Sequence, residues 1–196
     1  MSEGHKPAVV VLIGPPAAGK SSVGLLLAAR LGVPFTDTDT LVAQAAGKPV
    51  GDIFVEDGEA AFRGFERAAV ARGLDGFGMG GGVLALGSGA VLDPDVRRMI
   101  ERTAPPRGDE RSIPLSTPRN RPDVVVIYLE AGFGAVAKRT GFDRPRVVIP
   151  GNPRGRLRAM LEERRPVYES LAALTAATDD LTPDEVAADL VKRLEP

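Results

Sequence analysis

The segment Gly14-Pro-Pro-Ala-Ala-Gly-Lys-Ser-Ser22 has the spacing of a phosphate-binding loop, with Gly14 and Gly19 five positions apart and Lys20 and Ser21 directly after. An apolar run (8–13) precedes it and a helix-like run (23–30) follows, as the motif requires. In such loops backbone N–H groups and a helix N-terminus bind phosphate oxygens, while the lysine reaches the β- and γ-phosphates and the hydroxyl ligates Mg²⁺. The alternative is an ordinary glycine-rich turn. Because Lys20 and Ser21 are both in place, the motif favours a nucleoside triphosphate, namely ATP.

Asp37-Thr38-Asp39 could supply the second half of a phosphoryl-transfer site. If the segment is extended, its two carboxylates point to one side, where one could hold a metal and the other accept a hydroxyl proton. Capping of the next helix is the structural alternative, and the residues alone do not decide between the two. Arg63 and Glu66 pose a similar choice between a surface ion pair and an arginine that binds an acceptor carboxylate through its planar fork.

The elements that must position these residues alternate between apolar, β-branched runs and amphipathic stretches, which predicts a parallel sheet covered on both faces. We therefore expect an α/β fold of three layers, α/β/α, around a central, mainly parallel five-stranded sheet. Strands are predicted at 8–13, 33–36, 82–86, 124–129 and 174–177. Helices are predicted at 20–30, 39–46, 57–72, 94–101, 132–139, 154–173 and 183–194.

The length of 196 residues suits one domain over 1–196. Three segments depart from the alternation: an N-terminal tail (1–7), a stretch rich in Pro, Arg and Ser (103–123), and a segment punctuated by Gly and Pro (140–153). The second is predicted to be an inserted surface loop at the sheet edge opposite the ligand crevice, and the third a lid.

Composition narrows the partners and the chemistry. Lys and Arg total 25 against 26 Asp and Glu, so no basic excess favours binding to nucleic acid or membranes. The absence of cysteine excludes disulfides and thiolate metal sites, and His5 is the single histidine. With no apolar run long enough to span a bilayer and no signal-like start, we expect a cytoplasmic protein with small-molecule substrates. A monomer is also expected.

Together the motifs resemble the shikimate kinase family of phosphate-loop enzymes. The resemblance rests on GxxxxGKS, DTD, IF…DGE…FR..E, VLALGSGAVLDPDVRRM, RTG…RP, ERRPVY and LTPDEVA, and it covers the chain apart from the tail and 103–123. It implies a single kinase domain that transfers the ATP γ-phosphate to the 3-hydroxyl of shikimate, with Mg²⁺, in aromatic amino-acid biosynthesis.

The resemblance also implies roles for individual residues. Asp39 would contact the shikimate hydroxyls as candidate base, Arg63 and Arg164 would hold the carboxylate, and Lys20 and the lid residue Arg144 would act on the phosphates. Mg²⁺ would be served by Ser21 and Asp37, and the substrate turn would be Gly87-Ser88-Gly89. Nucleotide binding is expected of Gly14, Ala17, Ala18, Gly19, Lys20, Ser21, Ser22 and Arg139, the last near the adenine.

Gly80-Gly81-Gly82 matches the family's triple glycine by letter, but only Gly87–Gly89 follows a strand and precedes a Pro-led helix. Ser88 nevertheless replaces the middle glycine, and Arg146 could share the role of Arg144. Ala17 stands where the family commonly has glycine, which is tolerable if its φ stays negative. Two alternative functions remain open: a related kinase for another hydroxy acid such as gluconate, and a nucleotide-binding regulatory protein that has lost turnover.

Overall fold

Strand β1 (Val9–Ile13) lies at the centre of the sheet and is buried along its whole length. The computed structural model of the protein describes residues 9–103, 124–141 and 152–194. The other strands are β2 (Phe35–Asp37), β3 (Gly82–Ala85), β4 (Val124–Glu130) and β5 (Leu174–Ala177), and the order across the sheet is β2-β3-β1-β4-β5. All four pairings are parallel, so the carboxyl ends of the strands lie at one edge.

Helices connect successive strands and cover both faces of the sheet. Alternate residues of β1 face opposite ways, since Val10 and Leu12 belong to one core cluster and Val9, Val11 and Ile13 to another. The helices are α1 (Lys20–Leu31), α2 (Thr38–Ala46), α3 (Val50–Glu56), α4 (Gly58–Gly76), α5 (Pro94–Thr103), α6 (Phe133–Arg139), α7 (Pro153–Leu171) and α8 (Pro183–Leu194). Helices α1, α6 and α8 contribute to the first cluster, and α4, α5 and α7 to the second. The predicted three-layer α/β/α fold is therefore confirmed.

A third, smaller cluster joins α2, α3 and α4 through Val42, Ile53, Phe62 and Ala69. Helix α3 was not predicted from the sequence. It has seven residues and only Ile53 is buried, so it is too short to show a helical period. The helix predicted at 57–72 corresponds to α4, which begins at Gly58 and extends to Gly76. Helix α3 precedes it as a separate helix.

Three sequence predictions fall wholly or largely outside the described residues: the tail 1–7, the inserted loop 103–123 and the lid 140–153 with Arg144 and Arg146. Strand β4 begins at Val124, which pairs with Val9 at the amino-terminal edge of the sheet. Within the described ranges, no helix is long and apolar enough to cross a membrane.

Candidate active site

The phosphate loop connects the carboxyl end of β1 to the first turn of α1. Gly14 has φ 147°, and a Cβ there would lie 2.5 Å from the Leu129 carbonyl oxygen, so no other residue fits without displacing β4. Gly19 caps α1 with φ 89°, also in the left-handed region. The α1 N-terminus and its N–H groups therefore face the loop interior, which is the arrangement that binds a phosphate.

The Lys20 side chain folds back over this loop. Its Nζ donates to the carbonyl oxygens of Gly14 and Pro15, both at 2.9 Å. Burial lowers the pKa of Lys20 to about 8, against the opposing effect of the Asp39 and Asp37 carboxylates, and the Arg164 guanidinium lowers it further. Lys20 is thus held between the phosphate loop and a group of charged side chains from other elements.

Ala17 adopts the left-handed conformation, with φ 58°. The condition under which alanine was expected to be tolerated here, a negative φ, is therefore not met, and the strain is on the order of 1–2 kcal/mol. Arg139 at the end of α6 contributes to holding this conformation, since its Nη1 donates to the Ala17 carbonyl at 3.1 Å. Arg139 also donates to the Thr178 carbonyl and, at 3.2 Å, to the Thr178 hydroxyl. Its guanidinium thereby connects the phosphate loop to the segment after β5.

A cavity of about 380 Å³ opens beside the loop. It is lined by loop and α1 residues predicted to bind nucleotide, Ala17, Ala18, Gly19 and Ser22, and by Val23, Arg139, Thr178, Leu181, Pro183 and Val186. Thr178 and Leu181 were not predicted from the sequence to line this cavity. Their position directly after the last strand is a usable signal, because crevice loops in parallel sheets follow the carboxyl ends of strands. The apolar wall of the cavity suits a nucleotide base, and the adjoining anion-binding loop suits the phosphates of the nucleotide.

Asp37 lies between the helix that it caps and the Ser21 hydroxyl of the phosphate loop. Of the two arrangements left open by the sequence, the extended one is not found, because β2 ends at Asp37 and α2 begins at Thr38. Asp37 caps α2, with Oδ1 accepting from the Asp39 N–H at 2.9 Å. Its Oδ2 accepts from the Ser21 hydroxyl at 2.6 Å.

The Ser21 hydroxyl and Asp37 carboxylate offer the hard oxygen ligands that Mg²⁺ prefers, and water and phosphate oxygens would complete its octahedron. In the part of the chain that the structure describes, no group of three or more His, Cys, Asp or Glu side chains could hold a metal ion. A magnesium ion here would therefore depend on the nucleotide for further ligands.

The turn Gly87–Gly89 follows β3 and faces three of the charged side chains. A Cβ on Gly87 would lie 2.8 Å from Asp39 Oδ1 and 3.1 Å from Glu66 Oε1, and one on Gly89 would lie 3.2 Å from Arg63 Nη1. Gly87 is thus required for this close approach. Gly80-Gly81-Gly82, by contrast, lies at the entry to β3, with Gly82 packed against the ring of Phe77.

Two side chains hold the turn. The buried Thr38 hydroxyl accepts a hydrogen bond from the Gly87 N–H at 2.9 Å. From the other side, the Tyr168 hydroxyl of α7 donates to the Ser88 carbonyl at 2.6 Å. Neither residue was identified from the sequence, because each contact joins elements that are distant along the chain.

Arg63 and Glu66 are not a surface pair. Glu66 is only 2 % exposed, and its Oε2 accepts from Arg63 Nη1 at 2.6 Å. The more exposed Glu59 binds the other Arg63 nitrogen at 3.3 Å. Burial raises the pKa of Glu66, although Arg63 opposes the shift. The guanidinium fork of Arg63 is therefore held in orientation by the buried Glu66 carboxylate beside the turn Gly87–Gly89, which we call the acceptor turn.

Asp39, the expected base, and Arg164, the second arginine expected to hold the substrate carboxylate, also lie near this turn. The surrounding protein withdraws water from Asp39 and so raises its pKa, as does the neighbouring Asp37, while Lys20 opposes the shift. Arg164, on α7, lies close enough to affect the pKa of both Lys20 and Tyr168. Of the predicted site residues, Arg144 alone falls outside the described ranges.

A phosphate loop at the carboxyl edge of a parallel sheet, facing a charged acceptor turn, defines a phosphate-loop kinase. Comparison with known proteins gives the particular family. The shikimate kinase family model matches residues 16–195. The chain belongs to the shikimate kinase family.

Similar proteins span nearly the full length of the chain. A shikimate kinase of Thermobifida fusca is 46% identical over 186 residues, which cover 95% of this chain and 94% of that protein. One from Streptomyces coelicolor is 38% identical, with 95% of each chain covered. Among solved structures, the shikimate kinase from Acinetobacter baumannii in complex with shikimate has a TM-score of 0.76 and 26% identity, covering 97% of this chain and 94% of that one.

Proposed function

We propose that this protein is an ATP-dependent shikimate kinase that transfers the ATP γ-phosphoryl group to the 3-hydroxyl of shikimate, in aromatic amino-acid biosynthesis. The observation that carries the proposal is the acceptor turn, where Gly87 lies against the Asp39 and Glu66 carboxylates and Gly89 against Arg63. A small carboxylic acid with ring hydroxyls matches these groups. The Arg63 fork binds its carboxylate, and the Asp39 carboxylate accepts a hydrogen bond from a hydroxyl. Family membership supports the same acceptor.

On the acceptor side, Arg63 and Arg164 bind the shikimate carboxylate and orient the ring. Asp39 then accepts the 3-hydroxyl proton as the hydroxyl oxygen attacks the γ-phosphorus and the bond to the ADP oxygen breaks. The raised pKa of Asp39 suits this role, because a stronger base accepts the proton more readily. Since Glu66 already holds Arg63, the acceptor meets an arginine that is oriented before binding.

On the nucleotide side, the loop N–H groups and Lys20 neutralise charge on the β- and γ-phosphates. Ser21 and Asp37 would hold Mg²⁺, which supplies electrostatic stabilisation of the transferred group. Arg139 and the cavity beside it would receive the adenine end of ATP. Arg144 is proposed to close on the phosphates from the lid.

The balanced charge supports small-molecule partners rather than nucleic acid or membranes, and we propose a monomer in the cytoplasm. Among the alternatives, a regulatory protein without turnover has no evident need for an acceptor turn with Asp39, Arg63 and Arg164. A gluconate kinase would use the same two arginines. The identity of the acceptor therefore needs a direct test.

The test is a coupled assay of ADP release with ATP, Mg²⁺ and, separately, shikimate, quinate and gluconate. We expect turnover with shikimate at a kcat/KM well above that for the other two acids. Lys20→Met serves as the control for contaminating kinases. Preference for gluconate would establish the rival kinase, and absence of turnover with all three acids alongside normal ATP binding would establish the regulatory protein.

A further inference from the structure

We propose that Tyr168 is a positioning residue for the acceptor, whose single hydroxyl both fixes the Ser88 carbonyl and orients Arg164. The inference rests on the proposed function, because Ser88 and Arg164 belong to the proposed acceptor site. It concerns a residue that touches neither the reacting atoms nor the nucleotide.

The first contact fixes the turn. The Tyr168 hydroxyl donates to the Ser88 carbonyl at 2.6 Å across 80 positions of sequence, and Tyr168 is 1 % exposed. On the other side of the turn, Thr38 accepts from the Gly87 N–H. The turn is therefore held between α2 and α7. Loss of the Tyr168 hydroxyl would leave the Ser88 carbonyl without this hydrogen-bond donor.

The ring is itself held in place by the core. Tyr168 stacks on Tyr128 of β4, with ring centroids 5.2 Å apart and an interplanar angle of 22°. Both residues are buried and belong to the cluster on the α4–α5–α7 face of the sheet. Since β4 is an inner strand that pairs with β1 and β5, the Tyr168 hydroxyl has a fixed position relative to the sheet.

The second contact reaches the proposed carboxylate clamp. Arg164 lies four residues before Tyr168, so the two share one face of α7. Burial raises the pKa of Tyr168, and the neighbouring Arg164 guanidinium opposes that shift. A tyrosine hydroxyl can accept one hydrogen bond while it donates another. Through this hydroxyl Arg164 acts on the turn Gly87–Gly89, against which Arg63 also lies.

The test compares Tyr168→Phe with Tyr128→Phe. Each variant removes one phenolic oxygen from the same stacked pair, but only the first removes the bond to Ser88. For Tyr168→Phe we expect the KM for shikimate to rise by about five- to tenfold, with the KM for ATP changed less than about twofold. Tyr128→Phe should leave the ratio of the two KM values unchanged. Thermal melting of both variants monitors the fold.

An amide analogue of shikimate then separates the two contacts. If Tyr168 orients Arg164, replacing the acid by the amide should cost Tyr168→Phe less binding than it costs the wild type, because part of the carboxylate interaction is already lost. Equal ratios of KM in the two tyrosine variants would overturn the inference. A wild-type enzyme without shikimate turnover would refute the proposed function, and the inference with it.

A second measurement does not depend on whether Tyr168→Phe folds. The chain has two tyrosines, so wild-type protein labelled with ¹³C at the tyrosine Cζ gives two resonances, which Tyr128→Phe assigns. Shikimate should shift the Tyr168 resonance more than that of Tyr128, and ATP alone should not. Equal shifts in both resonances, or none in the Tyr168 resonance, would contradict the proposed role.

Discussion

The nucleotide side and the acceptor side of the site are built in different ways. The phosphate loop is one short segment, Gly14–Ser22, whose binding groups are largely backbone N–H groups of the loop and the first turn of α1. The acceptor turn is surrounded by side chains from three helices, namely Asp39 of α2, Arg63 and Glu66 of α4, and Tyr168 of α7. Substitutions on the acceptor side should therefore weaken the binding of shikimate without weakening that of ATP, and substitutions in the phosphate loop should have the opposite effect.

The largest effect is expected from Lys20→Met, which removes the one side-chain cation of the phosphate loop. Turnover should fall by at least about a hundredfold, because charge on the transferred phosphoryl group is no longer neutralised. The fold should persist, since burial already disfavours the charged form of Lys20. Steady-state kinetics and thermal melting test both statements, and near-normal turnover in a folded variant would refute the assignment of Lys20.

On the acceptor side, Arg164→Ala should weaken shikimate binding by at least about tenfold, with ATP affinity little changed, because a charge-assisted hydrogen bond contributes roughly 1.5–3 kcal/mol. Arg63→Ala should also destabilise the fold, since it leaves the buried Glu66 without its cation, at a cost of about 3–5 kcal/mol.

The double variant Arg63→Ala/Glu66→Gln separates these two effects. It should recover much of the stability but none of the shikimate affinity, as measured by calorimetric titration and chemical denaturation. Recovery of affinity together with stability would mean that Arg63 acts only as a structural partner of Glu66.

A pH effect should arise on the nucleotide side. ATP phosphates favour charged Lys20, whose pKa in the free protein is about 8, so binding above that pH requires proton uptake. The affinity for ATP should accordingly fall with rising pH above 8, by at most about tenfold per unit. Calorimetry at pH 8.5 in buffers of different ionisation enthalpy measures the proton directly, and Lys20→Met should abolish the uptake. Unchanged uptake in that variant would assign the proton to another group.

The smallest effect is expected from Ala17→Gly. Glycine relieves the left-handed strain at φ 58°, and the net gain in the free energy of unfolding should be about 1 kcal/mol or less because glycine also loosens the unfolded chain. The KM for shikimate should not change. Loss of stability in denaturant unfolding would show that the added freedom of the unfolded chain outweighs the relief of local strain.

This contrast also explains what the sequence could predict. A contiguous motif specifies the loop, and the fold follows from runs of apolar residues that alternate with helical patterns. The Thr38–Gly87 and Tyr168–Ser88 bonds join residues 49 and 80 positions apart, and no local pattern encodes them. The burial of Glu66 was missed for the same reason, since a charged residue three positions from an arginine is typical of a helix surface.

The conformation of 37–39 shows a second kind of error. One of the two arrangements left open by the sequence was a strand through 37–39 with Asp37 and Asp39 on one side, yet the strand ends at the first of them. Aspartate is favoured both at strand ends near metal sites and at helix N-caps, so its type alone does not distinguish these positions. Here the same carboxylate caps α2 and accepts from Ser21.

The two hydrogen bonds from Lys20 to the Gly14 and Pro15 carbonyls have a consequence for the kinetics of nucleotide capture. A free lysine side chain loses up to about 2 kcal/mol of rotamer entropy when it becomes immobilised. In this protein that entropy is lost on folding. When the nucleotide binds, the Lys20 ammonium group exchanges the two carbonyl oxygens for phosphate oxygens. The loop is preorganised for its ligand, so ATP association should proceed without a slow isomerisation of the loop.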